Sequence, residues 1–327
     1  MKKVISNNEK VLFLFLFCIS GCNHRSAIYS YKLDIKKHKK QNDKESNCPC
    51  HNSCKTILAD TGSLSLGQID STNVVNEASH SITIWIYGTL LLRKSFFYKH
   101  FNGEEGLRHA RVVGETSKKM GDIACLLSAK DKERFPFDNF YFFGWSGKLD
   151  ELERERATLC LLNNIKRLIK EHQNKHGITP KITLISHSHG GNIALFMPAL
   201  ISLGEEKPEI DTLILLACPV QRKTMPFIYD SMFKKMYALY SSLDMIQVLA
   251  PQHPYYRPFS SKRFPKSEKM TQASVKINGK ALLHTSFTKK RFISCLPFVI
   301  NSLEKLAEGF LDESMMRDKE ISLSIKI

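Results

Sequence analysis

The tightest constraint in this chain sits at residues 181–203. A short β-branched run, residues 181–185 (KITLI), passes without a spacer into Ser186-His187-Ser188-His189-Gly190-Gly191-Asn192, and a second apolar run, residues 193–203, follows at once. The first reads as a buried strand and the second as a helix. Joining them so abruptly requires a sharp turn at Ser188. Small residues are needed two positions to either side, so that strand and helix can pass closely. Ser186 and Gly190 meet that requirement, and Gly191 adds a second small residue on the early helix.

The same alternation extends over most of the chain. Residues 82–86 (ITIWI), 139–143 (NFYFF), 212–217 (TLILLA), 237–240 and 273–277 read as further strands. Residues 104–130 have helical content, with Gly106, Gly114 and Gly121 as expected breaks. Residues 149–172 give the clearest helix, with Leu152, Leu159, Leu161, Ile165, Leu168 and Ile169 near helical spacing and Gly177 and Pro180 ending it. Residues 292–310 read as a closing helix. Strands alternating with helices predict an α/β fold: a mostly parallel central sheet covered by helices on both faces. At 327 residues with 43% hydrophobic content, the chain can form such a core in a single domain, expected over residues 81–312 with a tail at 313–327.

The N-terminus has a different character. Lys2 and Lys3 precede the nine-residue apolar run 11–19, too short to span a bilayer but suited to a secretory signal. It ends in Ile19-Ser20-Gly21-Cys22, which resembles the bacterial lipobox; that resemblance implies cleavage after residue 21 and lipidation of Cys22. The chain is therefore expected to be exported and membrane-anchored, and Asn23 resembles outer-membrane cargo. Residues 22–80 read as a tether and approach segment, with a basic cluster at residues 36–40 that could rest on anionic headgroups. Cys48, Cys50, His51 and Cys54 have neither the paired spacing nor the second half of a zinc site, so a local disulfide is the simpler reading. Cys125, Cys160, Cys218 and Cys295 sit in apolar surroundings and read as small core residues. The net charge of +16 suits anionic partners, but no nucleic-acid motif accompanies it.

The strand–Ser188–helix arrangement resembles the nucleophile elbow of the α/β-hydrolase superfamily over residues 82–310, with Ser186 in place of the first glycine of G-x-S-x-G. That resemblance implies a triad in the chain order Ser, Asp/Glu, His. His284, beyond the last expected strand and before the closing helix, fits the base, with His253 as the alternative. Asp244, after the 237–240 strand, fits the acid, whereas Asp230 lies in an insertion and Asp211 starts a strand. The resemblance further implies an oxyanion hole from the backbone N–H groups of His189 and of Thr89, in Tyr87-Gly88-Thr89. His187 and His189 are expected to wall the pocket or pack, and Trp145-Ser146-Gly147 with Arg156 to line the site from the neighbouring strand.

The implied activity is hydrolysis of a small-molecule or lipid ester through an acyl-enzyme on Ser188, with no cofactor and no metal. An acyltransferase would use the same triad. A non-catalytic envelope lipoprotein is the third reading, for which damage to Ser188, Asp244 or His284 is expected. Phe96, Phe97, Tyr98 and Phe101, and Phe227, Ile228, Met232 and Phe233, are apolar insertions that serve either an acyl pocket or ordinary packing.

Overall fold

The computed structural model describes residues 28–34, 80–89, 105–249, 260–309 and 320–326. Residues 1–21, expected to be a signal segment, together with Cys22, the Cys48/Cys50/Cys54 cluster, the aromatic run 96–101 and His253, lie outside the described residues.

In chain order the strands are β1 (Ile28–Asp34), β2 (Ser81–Ile86), β3 (Gly106–His109), β4 (Phe140–Gly144), β5 (Lys181–His187), β6 (Ile210–Leu216), β7 (Phe233–Tyr240), β8 (Met270–Ile277), β9 (Lys280–Ala281) and β10 (Glu320–Lys326). The helices are α1 (Ala110–Thr116), α2 (Lys118–Lys130), α3 (Glu151–His176), α4 (Gly190–Phe196), α5 (Met245–Leu249), α6 (Lys290–Ile293) and α7 (Leu296–Gly309). One sheet runs in the order β1-β10-β8-β7-β6-β5-β2-β4-β3, with β9 paired to β8. All these pairings are parallel except β3 with β4 and β8 with β9. The α/β expectation holds at this level: a mixed, mostly parallel sheet with helices between its strands.

The central strands are buried nearly end to end, as both-sided coverage requires. Ile182 to Ser186 on β5 and Leu213 to Leu216 on β6 are all buried. β5 lies between β2 and β6, so the turn at Ser188 emerges from the middle of the sheet.

Several local expectations need correction. The sheet reaches past residues 81–312: β1 lies in the stretch expected to be a tether and β10 in the expected tail. β10 pairs with both β8 and β1 and buries Ile321, Leu323 and Ile325. Their alternation with Ser322 and Ser324 is a two-residue period, too short a run to stand out beside the helical stretches. Gly114 and Gly121 do not break helices. They lie inside α1 and α2, where a Cβ on Gly121 would stand 3.1 Å from Gly114 Cα, and the break falls at Ser117 between them. Gly106 opens β3 instead.

On α3 the buried stripe runs through Leu161, Ile165, Leu168 and His172, whereas Leu152 and Leu159 are exposed on another face. Asp150 caps this helix through Glu153 N at 3.0 Å, and Gly177 terminates it with φ 72°. Of the four cysteines read as core, Cys218 and Cys295 are buried and free, Cys160 is exposed, and Cys125 is half-buried and disulfide-bonded.

Candidate active site

Ser188 is buried and has φ 54°, in the left-handed region that costs a residue with a Cβ about 1–2 kcal/mol. The turn is held by Ser188 N donating to Leu216 O of β6 at 2.9 Å and by Gly191 N donating to Ser188 O at 3.0 Å. α4 starts at once. A Cβ on Gly190 would stand 2.4 Å from Tyr87 O, so only glycine lets the helix start pass the loop after β2. That loop also presses on the serine: a Cβ on Gly88 would stand 2.8 Å from Ser188 Cβ. Trp145, beyond β4, braces it by donating from Nε1 to Tyr87 O at 2.8 Å. The loop 87–89 and the start of α4 are thus packed around Ser188, with Thr89 half-buried two residues beyond Tyr87.

Asp244 and His284 arrive from the far half of the sheet. After β7 the chain turns through Ser241–Leu243, and the buried Asp244 carboxylate serves two neighbours. Its Oδ1 accepts from Gln247 N at 3.1 Å, capping α5, and its Oδ2 is 2.8 Å from Nδ1 of His284. Asp244 therefore caps the start of α5 with one oxygen and contacts the His284 imidazole with the other. His284 follows the β8–β9 hairpin, whose Asn278-Gly279 turn has φ 49° and 74°, both left-handed as a two-residue hairpin turn requires. The buried imidazole packs against His187, the residue before Ser188, with ring centroids 4.8 Å apart.

His187 and His189 bracket the serine and both stay neutral. His187 is held down to about 3, first by burial and then by the neighbouring His284 imidazole. Its Nε2 donates to the His284 carbonyl at 3.1 Å, fixing the backbone that carries that imidazole. His189 is also held down to about 3, by burial and then by Arg154 and His284. Its Nδ1 is buried without a hydrogen-bond partner.

Asp211 and Asp230 lie elsewhere. Asp211 sits at the opposite, N-terminal edge, where it accepts from Ile182 N at 2.8 Å, and Asp230 pairs with Lys207 at 2.9 Å. Arg156, expected near the site, is exposed and pairs with Glu153 at 3.3 Å. Arg154, two positions earlier on α3, takes that place: half-buried, it donates to Gln221 Oε1 at 2.5 Å in a cleft shared with Asn192 and Phe196. Ile228, Met232 and Phe233 are core residues, and half-buried Phe227 meets Phe196 edge-on.

Sequence reading missed two supports. Asn192 ties the early helix to the loop after β6, donating to Pro219 O at 3.0 Å and accepting from Thr224 Oγ1 at 2.5 Å. Gln247 Nε2 donates to Cys218 O at 2.6 Å, joining that same loop to the Asp244 turn. Both contacts span more than 25 positions, and no local pattern announces them.

No family model and no curated protein matches the chain. Among solved structures that match, the crystal structure of esterase PE8 is 12% identical, with 69% of this chain and 94% of that chain covered and a TM-score of 0.34.

Proposed function

We propose that this chain is a serine hydrolase of the α/β-hydrolase type, cleaving carboxylic esters through an acyl-enzyme on Ser188. The observation that carries the reading is the buried 2.8 Å contact between His284 Nδ1 and Asp244 Oδ2, across 40 positions of sequence, in a chain whose Ser188 has left-handed φ at the end of β5. Asp244 fixes the tautomer that leaves Nε2 of His284 as the base, and stabilises the imidazolium that forms. Ser188 Oγ attacks the ester carbonyl as His284 takes its proton. The carbonyl oxygen gains the negative charge, which the His189 and Thr89 amides receive. Collapse expels the alcohol, which takes the proton from His284. Water then attacks the acyl-enzyme by the same route and releases the acid and free Ser188.

We place the substrate among acyl lipid esters. Leu243 beside Asp244, Ile246 on α5 and Leu283 beside His284 all expose their side chains, an apolar rim suited to an acyl chain. The lipid anchor at Cys22 and an outer-membrane address rest on the sequence. The disulfide-bonded Cys125 fits the oxidising compartment that export provides. The test is fluorophosphonate labelling of the purified mature chain, with and without detergent micelles, followed by peptide mapping. An adduct on Ser188 that is lost in His284→Ala, with ester hydrolysis abolished in Ser188→Ala, is the expected result. A folded protein that labels under neither condition, or a Ser188→Ala variant with full activity, overturns the reading.

A further inference from the structure

Beside the Ser188 turn stands a half-buried cation with no carboxylate of its own. Arg154 lies at the start of α3, and its side chain makes one hydrogen bond among the described residues, from Nη1 to the neutral Gln221 Oε1 at 2.5 Å. The acids around it engage other groups. Glu151 and Glu155 both hold Lys223 Nζ, the latter at 2.6 Å, while Asp150 caps α3 and Glu153 pairs with Arg156. Burial lowers the Arg154 pKa, with Glu151, Asp150 and Glu155 opposing, and a guanidinium stays charged through such a shift.

Arg154 lines a cleft between α3, α4 and the loop after β6, together with Asn192, Phe196, Gln221 and Thr224. Lys223, bound to its two glutamates, closes part of the wall, with Nζ 4.6 Å from the centroid of the Phe196 ring. This cleft adjoins the reaction centre. Asn192 is one turn along α4 from Ser188, and the loop after β6 follows the Leu216 carbonyl that holds Ser188 N. The Arg154 charge also acts on the His189 ring more strongly than His284 does.

We propose that this cleft receives an anionic group, a carboxylate or a phosphate, carried by the ester that Ser188 cleaves, with Arg154 as its ligand. The proposal rests on the hydrolase reading and narrows its substrate to anionic acyl esters. A guanidinium withdrawn from water and matched only by a neutral amide has lost hydration that one hydrogen bond does not replace. Its planar fork keeps most of its N–H groups for a carboxylate or phosphate, the anions that fit it in bidentate fashion. The cleft offers about 290 Å³ including open solvent, room for such a group rather than for an acyl chain. Lys223 is the weaker candidate, because two carboxylates already neutralise it. A purely structural bridge to Gln221 needs one N–H and no charge. The neighbouring elements are tied without it, through Thr158 Oγ1 donating to Ile193 O at 3.3 Å and Asn192 Nδ2 donating to Pro219 O at 3.0 Å.

The experiment compares the full mature chain with Arg154→Gln, Arg154→Lys and, as a control on the same helix, Arg167→Gln, an exposed arginine paired with Glu171. Two substrate pairs are used: the p-nitrophenyl half-ester of succinic acid against p-nitrophenyl butyrate, and a 1-acylglycerol 3-phosphate against the 1-acylglycerol of the same chain. The readout is the ratio of kcat/KM for the charged over the neutral ester. The wild-type chain should favour the charged member of at least one pair, and that pair identifies the group as carboxylate or phosphate. Arg154→Gln should lower the ratio by about 10–100-fold, chiefly through KM, as loss of a charge-assisted hydrogen bond implies. Arg154→Lys should lose less, and Arg167→Gln should keep the wild-type ratio. A wild-type chain that favours neither charged ester, or Arg154 variants that slow charged and neutral esters alike, overturns the proposal. Fluorophosphonate labelling of Ser188 separates the two readings: a labelled chain with an unchanged ratio loses only the anion subsite. A wild-type chain that neither labels nor hydrolyses any ester loses the hydrolase reading, and this proposal with it.

Discussion

Asp244 shows how one side chain carries two duties that substitution can separate. Its Oδ1 caps α5 and its Oδ2 orients His284, so Asp244→Asn keeps an acceptor for Gln247 N while removing the charge that stabilises imidazolium. If the proposed mechanism holds, ester turnover should fall by about 10⁴-fold, as for the corresponding change in a serine-protease triad. Urea unfolding should move little, because the cap survives. Asp244→Ala should lose both, with a further ~1 kcal/mol of stability from the missing cap. Steady-state kinetics and unfolding curves on the two variants separate these contributions. The sequence pointed to Asp244 and His284 by their order after Ser188. It read His187 as a wall or packing residue and did not reveal its bond to the His284 carbonyl, which exists only because β5 and the segment after β9 end side by side.

At the scale of elements, β10 is the informative case. Residues 320–326 look like a short polar tail, yet they form a strand between β8 and β1. Leu323 is fully buried there. Leu323→Ala should therefore cost about 2–5 kcal/mol, the range for truncating a core leucine, measured as a shift of the urea midpoint. A cost below ~0.5 kcal/mol, typical of exposed positions, would remove this strand from the core. Helix α3 marks the opposite limit of legibility. Its approximate extent and its stop at Gly177 followed from local sequence, while the Asp150 cap and the choice of buried face were not read. Leu152 and Leu159 are apolar but exposed, and Thr158 and His172 are buried, because the sheet's position decided which stripe is covered.

For the whole molecule, the paired histidines beside Ser188 predict how stability responds to acid. Both His187 and His189 have folded pKa values of about 3, against 6.5 when unfolded. Between those values the unfolded chain binds more protons than the folded one, so stability rises with pH through this window. On acidification the loss should begin near pH 6.5 and continue to about pH 3, at up to ~1.4 kcal/mol per pH unit for each histidine. The slope is half its maximum at pH 6.5, where the unfolded imidazoles are half protonated, and fades about one unit above it. Urea unfolding at a series of pH values checks the prediction, and His189→Gln should remove one histidine's share. A flat profile from pH 7 to 4 would contradict the buried, neutral state of both rings.

The alternation of strand and helix and the turn at Ser188 could be read from sequence because each depends on residues close together along the chain, whereas Asp244 and His284, far from Ser188 in sequence, were picked out by the order that the resemblance implies. Hydrophobic period and small residues at a tight turn are local properties. What joins β1 to β10, selects Arg154 over Arg156, or sets His80 against His172 depends on which edges and faces the sheet brings together. Those pairings lie tens to hundreds of residues apart in sequence. Their determinants are twist, register and burial, and only the folded sheet supplies them.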